Sequence, residues 1–217
     1  MKVLVTGSSG GIGKAICELF LDLNYDVVGL DIADPVITDR SKFTHYYADV
    51  SNYYSLPTIS DVNILINNAG VQNTGRDIDV NLKGVINCTE KYGIGFGVKS
   101  IVNMASISAH TGAEFPEYAA SKGGVLAYTK NTAMRVAKYG TTCNSISAGG
   151  VITELNSHII SDPELYDAVL NETLLGKWAL PQEIADLVYF LAVTNISITG
   201  QDIIIDNGEF AKYNFIW

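Results

Sequence analysis

A glycine-rich turn between two short apolar runs is the feature that most restricts how this chain can fold. The first apolar run, residues 3–5, ends at a turn that contains Gly7, Gly10, Gly11 and Gly13. Apolar residues then recur with the spacing of one helix face, at Ile12, Ala15, Ile16, Leu19, Phe20 and Leu23. A second apolar run over residues 26–30 ends at Asp31. The pattern predicts a strand, a helix and a second strand in immediate succession.

This unit has the features of a dinucleotide site. Glycine lets the backbone turn tightly and approach a ligand closely. The turn opens a helix whose unpaired N–H groups and dipole attract an anionic pyrophosphate. Asp31, at the end of the second strand, is placed to accept hydrogen bonds from ribose hydroxyls. The spacing is Gly-x-x-x-Gly-x-Gly, and such a turn can also occur without a ligand, but the whole unit together predicts a bound dinucleotide.

The same alternation of apolar runs and helical patterns continues along the chain. Further strands are predicted at residues 43–47, 62–66, 98–104, 142–147 and 203–205. Helices are predicted at residues 79–96, at 118–139 and from Pro181, with at most one brief helix between residues 49 and 61. The alternation predicts an α/β fold of the Rossmann type, a doubly wound parallel sheet of about seven strands with helices on both faces. The 217 residues fit a single domain, 1–217.

Composition excludes several classes of function. A net charge of −9 argues against nucleic acid or an anionic membrane as a partner. No apolar run is long enough to span a membrane, and a strand beginning near residue 2 leaves no room for a signal peptide. Cys17, Cys88 and Cys143 are scattered, without the spacing of metal ligands. We expect a cytoplasmic protein with reduced thiols and no metal, although His110 and His158 lie where they could contact a substrate.

Tyr118 and Lys122 form a candidate acid and base. They lie four residues apart on a predicted helix, so their side chains share one face. A phenol with a pKa of about 10 is a poor base at neutral pH. An ammonium group about 4 Å away could lower that pKa by up to about three units. The same pair also occurs on many helices as ordinary surface residues, so its meaning depends on the motifs around it.

Four spaced motifs give the pair its context. Thr6-Gly7-x-x-x-Gly11-Ile12-Gly13, Asn67-Asn68-Ala69-Gly70, Ser106, and Tyr118-x-x-Ser121-Lys122 occur in this order. Together they resemble the short-chain dehydrogenase/reductase family over essentially the whole chain. The resemblance implies an oxidoreductase that transfers a hydride between NAD(H) and a secondary alcohol or ketone. It also implies a homodimer or homotetramer, similar to the 3-oxoacyl thioester reductases of the family, although sugars or steroids are equally open as substrates.

The resemblance assigns a role to individual residues. Tyr118 would exchange a proton with the substrate oxygen, Lys122 would hold the nicotinamide ribose, Ser106 would bind the substrate oxygen, and Asn81 would complete a proton relay through water. The implied cofactor contacts are Gly7, Ser9, Gly11, Ile12, Gly13, Asp31, Asp49, Val50, Asn67, Ala69, Gly70, Tyr118, Lys122, Gly149, Val151 and Thr153.

Within that set, three residues have a specific part. Asp49 would meet the adenine, Asn67 would line the cleft, and Thr153 would meet the nicotinamide carboxamide. Asp31 favours NAD over NADP, because a 2′-phosphate would lie beside a carboxylate. Lys14 is the only cation close by in the sequence, and its side chain should project away from the adenosine.

The sequence departs from the family pattern in several places. Ala148-Gly149-Gly150 stands where the family has Pro-Gly, so we expect a looser nicotinamide loop. Ser106 precedes Tyr118 by one residue fewer than usual, which leaves Ser108 as an alternative serine. Residues 49–67 and 70–81 lack most of the expected helices, so the pocket should be more open.

Two questions of interpretation stay open. Residues 151–180 include the family's substrate loop, and its recurring leucines predict either a helical hairpin packed on the core or a lid. The shortened walls also keep open a non-catalytic nucleotide-binding regulator as an alternative to an enzyme. No basic patch suited to an acidic carrier protein is evident in the sequence.

Overall fold

One parallel sheet of seven strands forms the centre of the computed structural model, which describes residues 1–113 and 115–212. The strands are β1 (Lys2–Thr6), β2 (Asp26–Asp31), β3 (Phe43–Tyr47), β4 (Val62–Asn67), β5 (Ser100–Ser106), β6 (Thr142–Ala148) and β7 (Asp202–Ile205). Their order is β3-β2-β1-β4-β5-β6-β7, and every pair is parallel. The predicted fold class is confirmed. The chain reverses its direction of winding between β1 and β4, where such sheets open a ligand crevice at their carboxyl ends.

Helices cover both faces of this sheet. They are α1 (Gly11–Asp22), α2 (Gly84–Cys88), α3 (Ser108–Thr111), α4 (Pro116–Val136), α5 (Ser157–Ile160), α6 (Pro163–Leu170) and α7 (Pro181–Tyr189). Wider π-helical turns, Ile78–Lys83 and Thr89–Gly93, flank α2, and a third, Phe190–Thr194, continues α7. Short 3-10 turns lie at Tyr53–Ser55, Ala137–Tyr139 and Glu154–Asn156. The stretch between residues 49 and 61 therefore holds one brief helical turn, as predicted.

Successive side chains along a strand point to opposite faces of the sheet, and the core therefore has two layers. On β1, Val3 and Val5 join the apolar cluster formed with α1 and α7. Leu4, between them, joins the cluster on the opposite face, which includes residues of the 78–93 helical segment and α4. Among the described residues, no helix is long and apolar enough to cross a membrane, and no group of His, Cys, Asp or Glu could hold a metal ion.

The segment after β6 forms short helices that stay outside the core. No residue of α5 or α6 is buried. Leu155 and Leu175 are 58% and 69% exposed. The interpretation of these leucines as core-packing residues is therefore wrong, because none of them belongs to the apolar clusters of the core.

Candidate active site

The glycine-rich turn connects β1 to α1 with a geometry that other residues would not allow. Gly7 has φ +66°, a conformation that residues with a Cβ rarely adopt. A Cβ placed on Gly13 would lie 1.9 Å from the carbonyl oxygen of Gly7. The turn is therefore compact, and the first N–H groups of α1 are presented at the carboxyl end of the sheet.

Asp31 ends β2 beside this turn. Its Oδ2 accepts the Ser9 N–H at 2.9 Å, and its Oδ1 accepts the Ala33 N–H at 3.0 Å. Each carboxylate oxygen keeps a lone pair for another donor, such as a ribose hydroxyl. Lys14 lies apart, with its ammonium 3.8 Å from Glu18. The carboxylate is therefore held in place by the backbone and has no cation beside it in the glycine turn.

Helix α4 brings Tyr118 and Lys122 together. Both residues line a cleft that is also lined by the glycine turn and Asp31. The Lys122 Nζ lies 5.7 Å from the centroid of the Tyr118 ring and donates to the Met104 carbonyl at 3.0 Å. Lys122 is only 5% exposed. Burial lowers the pKa of Lys122 to about 8, and the charge of Asp77 acts in the opposite direction. The ammonium is thus fixed close to the phenol ring.

Of the two candidate serines, Ser106 faces this cleft and Ser108 faces a neighbouring cavity. Ser106 lies at the carboxyl end of β5, and its Oγ accepts the Ser108 N–H at 3.2 Å. The two hydroxyl oxygens are also 3.2 Å apart. The neighbouring cavity has a volume of about 420 Å³ and is bordered by α3, the end of α6 and the segment after β7. The hydroxyl of Ser106 thus lies at the boundary between the two spaces.

Asn81 connects the loop after β4 to α4. Its Oδ1 accepts the Val71 N–H at 2.8 Å, and its Nδ2 donates to the Val71 carbonyl at 2.9 Å and to the Ser121 Oγ at 3.1 Å. A Cβ on Gly70 would lie 3.3 Å from the Asn81 Oδ1 and 3.5 Å from the Lys122 Nζ. Gly70 therefore lets the amide and the ammonium come close together.

The cleft has a volume of about 640 Å³ and runs along the carboxyl ends of the strands. Every predicted cofactor residue except Asn67 lines it, and so does Ser106. His110 and His158 border neither cavity. His110 instead binds Asp202, with 2.8 Å between its Nε2 and the Asp202 Oδ2. The sequence thus located the cleft, whereas contact of these histidines with a substrate stays a prediction.

The prediction that Asn67 lines the cleft is also wrong. Asn67 is 2% exposed, and its Nδ2 donates to Thr89 at 3.0 Å and to Asn103 at 2.8 Å. Asn67 is the last residue of β4, and its side chain points into the protein toward β5. Asn68, one residue later, lines the cleft instead and donates to the Gly7 carbonyl at 3.1 Å. A shift of one residue reverses the side-chain direction at a strand end.

The expected looseness of the loop after β6 is not found. A Cβ on Gly150 would lie 2.2 Å from the Trp178 indole. The Ile152 N–H donates to the Ala179 carbonyl at 2.9 Å, and the Ala179 N–H donates to the Gly150 carbonyl at 3.0 Å. That expectation is wrong because contact with Trp178 and a paired backbone segment restrain the loop where a proline is absent.

Arg76 is a cleft residue that the sequence did not indicate. Its Nη2 lies 2.7 Å from the Asp49 Oδ2 and 2.8 Å from the Ser51 Oγ. Arg76 therefore lines the cleft, whereas Lys14 does not. Arg76 is far from both the glycine turn and β2 in the chain, so no local pattern predicts its position.

Comparisons with known proteins agree with this geometry. The family model described as enoyl-(acyl carrier protein) reductase matches residues 7–209. The acetoacetyl-CoA reductase of Rhizobium meliloti is 32% identical over 235 residues, which cover 95% of this chain and 97% of that protein. The 3-oxoacyl-[acyl-carrier-protein] reductase of Thermotoga maritima is 31% identical over 244 residues, covering 94% and 96%.

Solved structures are similar over nearly the full chain. A 4-hydroxyisoleucine dehydrogenase mutant complexed with NADH and succinate has a TM-score of 0.88 at 28% identity, covering 99% of this chain and 100% of its own. A putative 2-deoxy-D-gluconate 3-dehydrogenase from Agrobacterium tumefaciens, with bound NADP, has a TM-score of 0.87 at 25% identity, covering 97% and 96%. With its glycine turn, Ser106, Tyr118 and Lys122 on one cleft, the chain belongs to the short-chain dehydrogenase/reductase family.

Proposed function

We propose that this protein is an oxidoreductase that interconverts a secondary alcohol and a ketone with NAD(H). The observation that carries the proposal is the convergence of Ser106, Tyr118 and Lys122 on the cleft that begins at the glycine turn. A hydroxyl, a phenol and an ammonium at one point can bind a substrate oxygen and exchange its proton. Relatives that are reductases and dehydrogenases add support.

The cleft fits a dinucleotide. The compact glycine turn allows the backbone to approach a pyrophosphate, and Asp31 can accept bonds from the adenosine ribose. Gly149, Val151, Thr153 and Tyr118 line the same cleft, and a Cβ on Gly11 would lie 2.9 Å from the Thr153 Cγ2. A nicotinamide bound there would supply the hydride chemistry. The volume of about 640 Å³ lies in the range usual for small-molecule and cofactor sites.

Four side chains have separate roles in the proposed reaction. Ser106 orients the substrate oxygen by a hydrogen bond, and Tyr118 gives a proton to that oxygen or takes it back. Lys122 stabilises the phenolate that forms when the proton leaves, since its ammonium lies 5.7 Å from the ring centroid. Asn81, whose amide is engaged by Val71 and Ser121, keeps the surrounding backbone in position for a path through water. The adjacent cavity of about 420 Å³ receives the rest of the substrate.

NAD is the proposed cofactor because Asp31 lies where a 2′-phosphate would have to lie. Two observations favour NADP: Arg76 places a positive charge on the same cleft, and one similar structure holds bound NADP. The Arg76 guanidinium is however bound to Asp49 and Ser51. Asp31 is bound by two backbone N–H groups and forms no ion pair with any described residue, so its negative charge would face the ribose.

A screen of NADH oxidation over ketone and 3-oxoacyl substrates tests the proposal, with Tyr118→Phe as the key variant. The variant loses the proton donor and keeps the cofactor contacts, so turnover should fall at least about a hundredfold while NADH binding stays nearly unchanged. Retained turnover would contradict the role of Tyr118. NADH binding by the wild type without turnover on any substrate would favour the non-catalytic regulator.

A further inference from the structure

Asp77 is a buried carboxylate that the proposed reaction does not use. It is 1% exposed, and it accepts the N–H groups of Asn73 at 2.8 Å and Thr74 at 3.0 Å. These bonds satisfy a charge that would otherwise be costly to bury. They also hold the end of the loop that joins β4 to the first π-helical turn.

The same loop is held at its beginning by Asn81. That amide binds both backbone groups of Val71, and it lies four residues after Asp77 on one helical segment. The loop between these two anchors contributes Val71 and Arg76 to the cofactor cleft. Arg76 then connects the loop to Asp49 on the far wall. Fixing this loop therefore fixes one wall of the cleft.

Asp77 lies one helical turn before Asn81, whose amide oxygen lies close to the buried ammonium of Lys122. Residues four apart on a helix share a face, and both side chains bind the loop backbone, Asp77 at Asn73 and Asn81 at Val71. The Asn81 Oδ1 and the Lys122 Nζ flank the same point at Gly70, at 3.3 and 3.5 Å. Asp77 and Lys122 are 1% and 5% exposed, so solvent screens their interaction weakly. Within residues 1–113 and 115–212, the ring of Tyr118, the carbonyl of Met104 and the amide oxygen of Asn81 also lie near the ammonium.

We propose that Asp77 is a positioning residue of the cofactor site, whose buried carboxylate fixes the 71–76 loop and keeps Lys122 in its charged form. The proposal rests on the proposed function, in which the Lys122 ammonium holds the nicotinamide ribose. Burial lowers the pKa of Lys122 to about 8, and Asp77 opposes that effect. Without this carboxylate, the ammonium would lose its proton at a lower pH, and cofactor affinity would fall with it.

The test measures the dissociation constant of NADH by fluorescence between about pH 6 and pH 9. In the wild type, affinity should weaken above about pH 8 as Lys122 loses its proton. In Asp77→Asn, the weakening should begin roughly one pH unit lower, the usual scale for a lost neighbouring charge. Any loss of affinity at about pH 6 then comes from the less restrained loop, and relative to that loss the variant should bind NADH about a further fivefold more weakly at pH 8.

The control is Asp79→Asn, which makes the same charge change at an exposed residue paired with Lys83. It should leave the pH profile unmoved. Lys122→Met should remove the change near pH 8 altogether. Thermal melting shows whether Asp77→Asn is folded. If it is not, Asp77→Ser replaces it in the titration, because the serine hydroxyl can still accept a hydrogen bond from the backbone.

The outcomes separate the two proposals. Suppose that the wild type binds NADH. If the Asp77 variants then show the wild-type pH profile of NADH affinity, or weaken NADH binding equally at every pH, the proposed role of Asp77 is wrong. A profile that persists in Lys122→Met would also overturn it. If the wild type binds NADH at no pH, the proposed function itself fails, and the role of Asp77 fails with it.

Discussion

Replacing Asp31 with serine should remove the preference of this protein for NADH over NADPH. The carboxylate is fixed at the cleft by the N–H groups of Ser9 and Ala33, at 2.9 and 3.0 Å. A 2′-phosphate beside it would bring a dianion next to an anion and would lose the ribose hydrogen bond. Serine keeps a hydroxyl at this position and removes the charge.

The size of the preference follows from these two effects. Two like charges about 4 Å apart repel by about 1 kcal/mol in water and about 4 kcal/mol near a protein surface. A lost hydrogen bond adds about 0.5–1.5 kcal/mol. Asp31 is half-buried at the edge of an open cleft, so the total should lie at about 2–4 kcal/mol. This corresponds to a ratio of dissociation constants of roughly thirty to a thousand.

The assay is fluorescence titration of NADH and NADPH against the wild type and Asp31→Ser at one fixed salt concentration. The readout is the ratio of the dissociation constants of NADPH and NADH. The variant also loses the carboxylate that accepts the Ser9 N–H of the glycine turn, and this loss should weaken the binding of both cofactors equally. Asp34→Ser is the matched control, since Asp34 is exposed and binds Tyr47 instead of the cleft. A wild type that prefers NADPH, or a ratio that Asp31→Ser leaves unmoved, would refute the assignment. Arg76→Gln would then show whether Arg76 binds the phosphate.

Three further predictions concern stability and assembly. Gly150→Ala should lower the free energy of unfolding by about 1–3 kcal/mol, because its Cβ would lie 2.2 Å from the Trp178 indole. Gly123→Ala is the control, since a Cβ at Gly123 would meet open space and should not destabilise the protein. Thermal melts of both variants measure the difference. The Arg135 side chain lowers the pKa of Glu90, so Glu90→Gln should cost up to about 1 kcal/mol near neutral pH, and this difference should vanish as pH falls and the wild-type carboxyl is protonated. The protein should be a homodimer or homotetramer at micromolar concentration, and a monomer in light scattering would contradict this.

Local patterns in the sequence were sufficient for the framework of this protein. The alternation of apolar runs and helical patterns predicted the parallel sheet, because strands buried on both faces and one-sided helices leave distinct periodicities. The glycine turn and Asp31 were placed correctly at one edge, since parallel strands bring their carboxyl ends together. Helical spacing likewise predicted that Tyr118 and Lys122 share one helix face. In the structure the Lys122 Nζ lies 5.7 Å from the centroid of the Tyr118 ring.

Contacts between distant segments were decided only in the tertiary structure. The inward direction of Asn67 depends on where β4 ends, and one residue at a strand end separates the core from the cleft. Arg76 meets Asp49, and Trp178 restrains Gly150, through loops whose paths carry no periodic signal. Asp77 looks in the sequence like any surface carboxylate. It is 1% exposed because the short loop after β4 folds back over it, and the N–H groups of Asn73 and Thr74 in that loop bind its carboxylate.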